Sequence, residues 1–412
     1  MKKFLSLLLV CALALSLAAC GGSASTQETS DGDVKYKIGV EVYSQTDPEM
    51  SMFFSYYRDY IAESFPVEFI MSDDLNSIED SLAFIEEAKA EGASGIISFY
   101  GLDLETEVAA CAENEMYYVL GSSSISDEEF DAVKDDPWFL GVIGPDSDEE
   151  FNAGKGMAED FIADGALSFL IVSGGAGNAE NYMHYTRVEG MLTALQDELG
   201  LSYDDTIENL AQATELTTVE TGRDDVSIVI SPGYVQMDEG LDNLFAALDM
   251  GQYDALLSAV GLSSVFDDLK EDIEKDTPLM RIGVVDCFSQ ENYDAYYDIA
   301  ANGYGMLHYI KGKYASMVAP AFVAMFNALE GDADLVNPDG EAFRLYQSYW
   351  TAASDEEYAE LFGYTQSIYE NAYSAADLMS VIRAYNQDAT YEAFAELAES
   401  SDIESVRARL AE

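Results

Sequence analysis

Phe139-Leu140-Gly141-Val142-Ile143-Gly144-Pro145-Asp146 is the point at which one pattern of the chain ends and the same pattern begins again. Before it, short apolar runs at Ile38–Tyr43, Val67–Ile70, Gly95–Phe99, Tyr117–Leu120 and Phe139–Ile143 alternate with amphipathic stretches. After it, a helical pattern from about Glu149 to Ala163 opens a second series, with runs at Ser168–Val172, Val226–Ile230, Ala255–Ala259 and Ile282–Val285. The runs are mostly β-branched or aromatic and apolar on both faces, as strands of a covered parallel sheet are. Ile78, Leu82, Ile85 and Ala88 mark one intervening helix face; Val188, Met191, Leu192, Leu195 and Leu199 mark another. Strands alternating with helices imply right-handed crossovers. The fold class expected is α/β: two doubly wound Rossmann-like lobes joined by a three-segment hinge, with a C-terminal helical extension.

The boundaries follow from the same pattern. The N-terminal lobe is expected over 35–143 plus 313–340, and the C-terminal lobe over 144–303. The chain first crosses near Leu140–Pro145; further hinge crossings are expected at 304–312 and 341–351. The helix Pro320–Leu329, with Phe322, Met325, Phe326 and Leu329 on one face, returns the chain to the first lobe. Residues 352–412 are rich in helix formers and are expected to form a helical cap on the C-terminal lobe.

Upstream of the folded part, Lys2-Lys3 precede an apolar run from Phe4 to Leu17, which ends in Leu17-Ala18-Ala19-Cys20-Gly21. A basic start, a short apolar core and small residues at the end describe a secretory signal over 1–19. The ending resembles a bacterial lipobox, which implies lipidation of Cys20. Residues 20–34 are small and polar and read as a flexible tether. The expected location is the outer face of the cell membrane, with the chain exported and lipid-anchored.

Composition narrows the partners. The chain has 412 residues, 49% of them hydrophobic, with 78 acidic and 19 basic side chains and a formal charge of −59. So few cations cannot neutralise a phosphate backbone, which excludes nucleic acid. Cys111 and Cys287 fall in different lobes and read as two free thiols; His184 and His308 are the two histidines. No metal-ligand spacing, catalytic triad spacing or nucleophile elbow is present in the sequence, so neither a metal, a cofactor nor an enzyme is expected. Ser173-Gly174-Gly175-Ala176-Gly177 follows a strand, but it lacks the full dinucleotide spacing.

Several segments together resemble the type I periplasmic binding proteins, in particular the sugar-binding lipoproteins of ABC importers. They are the Tyr36–Tyr43 strand with Asp47-Pro48 and Phe53-Phe54; Gly92-Ala93-Ser94-Gly95-Ile96-Ile97; Ile143-Gly144-Pro145-Asp146 with Ala153-Gly154; Arg187-Val188-Glu189-Gly190; and Ile282-Gly283-Val284-Val285-Asp286. The resemblance implies two lobes closing on a ligand held between them, and an ABC permease as partner. Departures are the replacement of the family's acid-Arg pair by Gly121-Ser122-Ser123, Val260-Gly261 where Asn-Asp is usual, and about twenty extra residues over Ser202–Asp225.

Ligands on open α/β sheets sit beyond the strand C-terminal ends, and that rule supplies the candidate ligand-binding residues. Arg187 can fork onto hydroxyls or a carboxylate of the ligand, or form a surface ion pair. Asp286 can accept sugar hydroxyls, hold Arg187, or cap the next helix. Tyr43, Phe53, Phe54 and Tyr234 are candidates to stack on a sugar ring or to pack in the core. Asp73, Tyr100, Ser122 and Asn178 follow strand ends, where they can serve a ligand or a turn. The function expected is capture of a small polar solute, most simply a sugar, by a monomer. Solute sensing through a membrane receptor and binding of a nucleoside or amino acid are the alternatives.

Overall fold

A computed structural model describes residues 34–177, 182–275, 280–297, 306–366 and 372–411. The signal, Cys20, most of the tether and Asn178 lie outside the described residues. Lys35–Glu412 forms one contact-sharing unit.

Within it the strands are β1 (Tyr36–Glu41), β2 (Val67–Met71), β3 (Ala93–Ser98), β4 (Tyr117–Gly121), β5 (Phe139–Gly144), β6 (Ser168–Gly174), β7 (Thr217–Val219), β8 (Ser227–Pro232), β9 (Ala255–Ser258), β10 (Arg281–Cys287), β11 (Leu307–Lys313), β12 (Phe343–Tyr346) and β13 (Trp350–Ala352). They build two sheets, in the orders β12-β5-β4-β3-β1-β2 and β13-β11-β10-β9-β6-β8-β7. The first sheet is parallel throughout. The second is parallel except for its edge strands, since β13 and β7 run antiparallel to their neighbours.

The helices are α1 (Pro48–Tyr56, continued by a π-turn to Ile61 and on to Ser64), α2 (Ile78–Ala90), α3 (Leu104–Glu113), α4 (Asp127–Val133), α5 (Ser147–Ala163), α6 (Tyr182–Leu199), α7 (Ile207–Ala211), α8 (Asp238–Met250), α9 (Phe266–Lys275), α10 (Gln290–Tyr297), α11 (Ala319–Leu329), α12 (Ala333–Val336), α13 (Asp355–Gln366), α14 (Ala375–Ser380), α15 (Tyr391–Glu399) and α16 (Ile403–Leu410). The fold is therefore α/β with two doubly wound sheets. The runs read as strands in the sequence are β1 to β6 and β8 to β10. The stretch Ser202–Asp225 contributes α7 and the edge strand β7, too short and too polar to stand out as a strand.

Three segments join the sheets: β5 runs into α5, β11 into α11, and β12 into β13. The second of these departs from the sequence reading, which places a crossing at 304–312. Residues 307–313 are a strand of the second sheet, paired with β10 and β13, and the chain crosses after Lys313. The third crossing is not one strand but two, separated by Gln347–Tyr349. The C-terminal segment is divided as well. Sequence reasoning puts all of 352–412 on the C-terminal lobe, yet only α13 packs on the second sheet's edge, whereas α14 and α15 pack on α11 and β12 of the first lobe. Phe394 of α15 meets the Phe343 ring of β12 edge-on at 5.5 Å, and that aromatic contact draws the segment across.

The hinge is aromatic on one side. Tyr314 and Trp350, from two different crossings, stack with ring centroids 3.8 Å apart. Ser401 pins both: its carbonyl accepts from Trp350 Nε1 at 3.0 Å and from the Tyr314 hydroxyl at 3.4 Å, and its hydroxyl accepts from Ser348 N at 2.8 Å.

Local chemistry sets where the helices start. Asp47 caps α1 by accepting from the N–H groups of Glu49 and Met50, and Pro48 occupies the first turn, where its missing N–H costs nothing. Asp146 caps α5 through Glu149 N at 2.7 Å. The α5–α6 contact requires glycine. A Cβ on Gly154 would overlap the Arg187 carbonyl, and one on Gly190 would overlap the Phe151 carbonyl. These obstacles are backbone, which cannot rotate aside. Gly154→Ala is expected to lower the unfolding free energy by about 1–3 kcal/mol, the usual range for overpacking. Urea denaturation reads it, and wild-type stability in that variant would mean that the two helices do not approach this closely.

Candidate functional site

Residues at or near strand C-terminal ends of the two lobes approach one another across an interlobe cleft, as the Lys313 contacts with Glu49 and Ser122 and the influence of Asp286 on Tyr43 show. From the first lobe come Tyr43 after β1, Asp47 and Glu49 at the start of α1, Tyr100 after β3 and Ser122 after β4. From the second come Arg187 on α6, Tyr234 after β8 and Asp286 near the end of β10, with Lys313 where β11 leaves for the hinge.

Electrostatic influence runs between the two sets. The Tyr43 phenol is pushed well above its ordinary value by burial, then by Glu49 and Asp47 of its own lobe, and by Asp286 of the other. Tyr234 is pushed up to about 12 by burial and then by Tyr100 across the cleft, with Arg187 opposing. Tyr43 and Tyr100 lie with ring centroids 5.3 Å apart, and His184 packs edge-on against Tyr234 at 5.6 Å. Burial holds His184 neutral, down to about 3, helped by the nearby Arg187 and Lys313.

Asp286 is half-buried and accepts from Asn292 Nδ2 at 2.7 Å. Burial raises its carboxyl to about 7; the Asn292 hydrogen bond opposes this, and Asp47 and Glu49 add to it. It caps no helix, since the Ser289 hydroxyl takes the Asn292 N–H at the start of α10. Nor does it hold Arg187, whose carboxylate partner is Glu150. Gly261 leaves the carboxylate its room, as a Cβ there would come 2.7 Å from Asp286 Oδ2.

Arg187 corrects the sequence reading. It is neither a surface ion pair nor an open fork. Nε donates to Glu150 Oε2 at 2.6 Å, Nη1 to the Ala259 carbonyl at 2.8 Å and Nη2 to the Tyr349 hydroxyl at 3.0 Å, with both members of the ion pair buried. Tyr349 in turn donates to Glu150 Oε1 at 2.8 Å. Arg187 thus ties α6, α5, the end of β9 and the third crossing.

Other candidates fall elsewhere. Phe53 is wholly buried against Phe99, with centroids 5.2 Å apart; its position on the inner face of α1 makes it core. Phe54 is half-buried against the same hydrophobic core. Asp73 is exposed beyond the edge strand β2, and it is Asp74 that ties that loop to Gln45 N. Ser122 is buried with φ 58°; its carbonyl, not its hydroxyl, serves the site by accepting from Lys313 Nζ at 3.0 Å.

Sequence reasoning missed Lys313, Glu49, Glu150 and Tyr349. Lys313 Nζ also donates to Glu49 Oε1 at 2.8 Å, which joins the second crossing to the first lobe. The signal available was scarcity: with 19 basic residues, two lysines one residue apart at a strand's end, Lys311 and Lys313, stand out. A separate cavity of about 360 Å³ lies beside the hinge between α1 and the start of α10, lined by Pro48, Met52, Tyr56, Ser289 and Glu291 among others, and by none of the predicted site residues.

This is the type I periplasmic binding protein fold. A galactofuranose binding protein aligns with TM-score 0.54 over 80% of this chain and 98% of its own, at 14% identity. The periplasmic binding component of an arabinose ABC transporter from Shewanella sp. ANA-3 aligns with TM-score 0.51 over 79% and 94%, at 14% identity. The transcription regulator CcpA of Lactococcus lactis aligns with TM-score 0.50 over 77% and 97%, also at 14%. No protein-family model and no curated protein matches the sequence. At such identities the likeness carries the fold alone, and binding proteins share that fold with a regulator.

Two predictions follow from the geometry. Arg187→Ala should destabilise the protein by about 3–5 kcal/mol, because it strands the Glu150 carboxylate in the interior. Replacing Arg187 and Glu150 together with methionine should recover much of that loss in denaturant titrations. The second concerns Asp286. Its folded-state value lies above the ordinary one, so the stability it confers is full below the unfolded value near 4 and is lost as pH rises through about 7. Asp286→Asn should flatten that decline, and a pH series of melting temperatures reads the difference.

Proposed function

We propose that this chain is an extracytoplasmic solute-binding lipoprotein that closes on a sugar between its lobes and delivers it to an ABC importer. The observation that carries the reading is the Tyr43–Tyr100 ring pair of the first lobe, with Asp286 of the second near enough to raise the Tyr43 phenol and Tyr100 near enough to raise Tyr234. Aromatic faces suit the C–H face of a sugar ring, and carboxylates accept its hydroxyls. Asp47, Glu49 and Asp286 supply acceptors from both lobes, so a ligand that donates to them stabilises the closed state and not the open one. A galactofuranose binding protein and an arabinose transporter's binding component share the fold, which supports a sugar over a nucleoside or an amino acid. The described residues of the cleft offer hydrogen-bonding and stacking groups, the chemistry of a binder. The signal over 1–19, Cys20 and the tether support export and lipid anchoring, with the folded part working as a monomer outside the membrane.

A thermal-shift panel of pentoses, hexoses, polyols, nucleosides and amino acids tests this on the Cys20→Ala chain, which lacks the lipid. A sugar is expected to raise the melting temperature, since binding to the native state alone stabilises it. Asp286→Asn should weaken that sugar's binding by at least about tenfold, the loss of a charge-assisted hydrogen bond or two. A panel in which only nucleosides or amino acids bind, or none of the solutes does, would overturn the sugar reading.

A further inference from the structure

We infer that Glu41 and Glu107 share a single proton through Ser81, and that this neutral-plus-anion pair positions the loop carrying Tyr100 into the cleft. The cluster lies outside the ligand site, under the C-terminal ends of β1 and β3. Glu41 ends β1, Ser81 is on α2 and Glu107 on α3, and all three are essentially inaccessible to solvent.

Hydrogen bookkeeping requires the proton. Ser81 Oγ lies 2.8 Å from Glu41 Oε1 and 3.0 Å from Glu107 Oε1. A serine hydroxyl has one hydrogen, so it can donate to one carboxyl and must accept from the other. A carboxyl that donates is protonated. The partners decide which one it is. Glu107 also accepts from the Tyr118 hydroxyl at Oε2, 2.8 Å, and from Leu102 N at Oε1, 3.2 Å. With Ser81 that makes three donors, an environment for an anion. Glu41 Oε2 has no partner within hydrogen-bond distance among the described residues, and the nearby Ser98 hydroxyl only partly offsets the burial that favours the acid. Glu41 is therefore the acid, giving its proton to Ser81 Oγ while Ser81 gives its own to Glu107.

The groups facing the pair come from every element around it. They are Ser81 of α2, Ser98 of β3, Asp103 and Cys111 at α3, and Tyr118 of β4. None of them is a cation. The Cys111 thiol is pushed up by burial and then by the two glutamates, so it stays neutral. Burial first, and the Glu107 charge second, raise Glu41 to about 8, in agreement with the hydrogen count.

The same cluster holds a loop. Ser98 Oγ accepts from Tyr100 N at 3.3 Å and Gly101 N at 3.1 Å, and Glu107 takes Leu102 N. Three successive N–H groups are fixed by this cluster, and Tyr100 then lies against Tyr43. Loss of the Glu41 proton places a second anion among groups that already hold one. Ser81 cannot then donate to both carboxylates, and their repulsion displaces Glu107, the acceptor that holds Leu102 N of the loop. Glu41 and Glu107 are positioning residues, since neither faces the ligand.

The inference rests on the reading of Tyr100 as a cleft residue, and its test separates the two. Infrared spectra of ligand-free Asp286→Asn protein, which removes the carboxyl raised to about 7 but keeps the raised Glu49, Glu107 and Asp160, should show at pH 7 a protonated-carboxyl carbonyl band that Glu41 contributes. That band should disappear with a midpoint near 8 and be absent when Glu41→Gln is added. Over the same range, amide exchange of residues 98–104, corrected for intrinsic rates, should accelerate in wild type and stay flat in Glu41→Gln. A missing band, or one that survives Glu41→Gln, overturns the shared proton. A band without a change in the loop overturns the positioning role. If Glu41→Gln does not fold, Tyr118→Phe serves: it removes a donor from the Glu107 anion and should move the midpoint upward, and an unmoved midpoint counts against the pair. Where a bound sugar is in hand, its affinity should fall about tenfold between pH 7 and 9 in wild type and not in Glu41→Gln. A panel with no sugar hit leaves the spectroscopic arms intact and indicts the function instead.

Discussion

The buried ion pair between Arg187 and Glu150 is the constraint on which the arrangement of the lobes turns. A guanidinium and a carboxylate taken out of water are tolerated only where their remaining hydrogen-bonding capacity is met. Here it is met by the Ala259 carbonyl and the Tyr349 hydroxyl. Those partners belong to the second sheet and to the third crossing, so satisfying the charge fixes how α5, α6 and the hinge sit together. Gly154 and Gly190 permit it by letting the two helices touch backbone to backbone.

Charge pairing extends the same logic along the hinge. Lys311 meets Glu149 at 2.9 Å and Lys313 meets Glu49 at 2.8 Å. In a chain with 78 acidic and 19 basic side chains, three cations are thus committed to acids at the lobe junction. Asp47 and Asp286 face Tyr43 and make no ion pair among the described residues, and burial raises the Asp286 carboxyl to about 7. The cleft is poised to accept hydrogen bonds. The opposite side of the hinge is held differently, by the Tyr314–Trp350 stack and by Ser401. The C-terminal segment is therefore part of the hinge's restraint and not only a cover.

Much of the fold was legible in the sequence, because its signals are local. Val40, Ile97, Val142, Ile171 and Val284 lie in runs apolar on both faces, and a buried parallel strand has no other way to be written. Arg187-Val188-Glu189-Gly190 stands out as a motif, and its glycine lets α6 meet the Phe151 carbonyl. The site was legible in part. Tyr43, Tyr100 and Tyr234 follow strand ends and Asp286 lies just inside one, so the rule that ligands sit there singled them out as candidates. Phe53 failed because a helix turns about 100° per residue, so an aromatic near the cleft can as easily face the core. Ser122 failed because its backbone, at positive φ, serves where its side chain was expected to.

The sequence by itself determined the alternation of strand and helix, the restart at Gly144-Pro145-Asp146, and which residues stand at strand ends. Each of these depends on neighbours within a few positions. Only the tertiary structure decided which charges pair. Arg187 and Glu150 are separated by 37 positions and Lys313 and Glu49 by 264. An acidic chain offers each cation many carboxylates of equal appeal. The choice among them is made by desolvation and by the geometry of the crossings, neither of which is written in any local stretch.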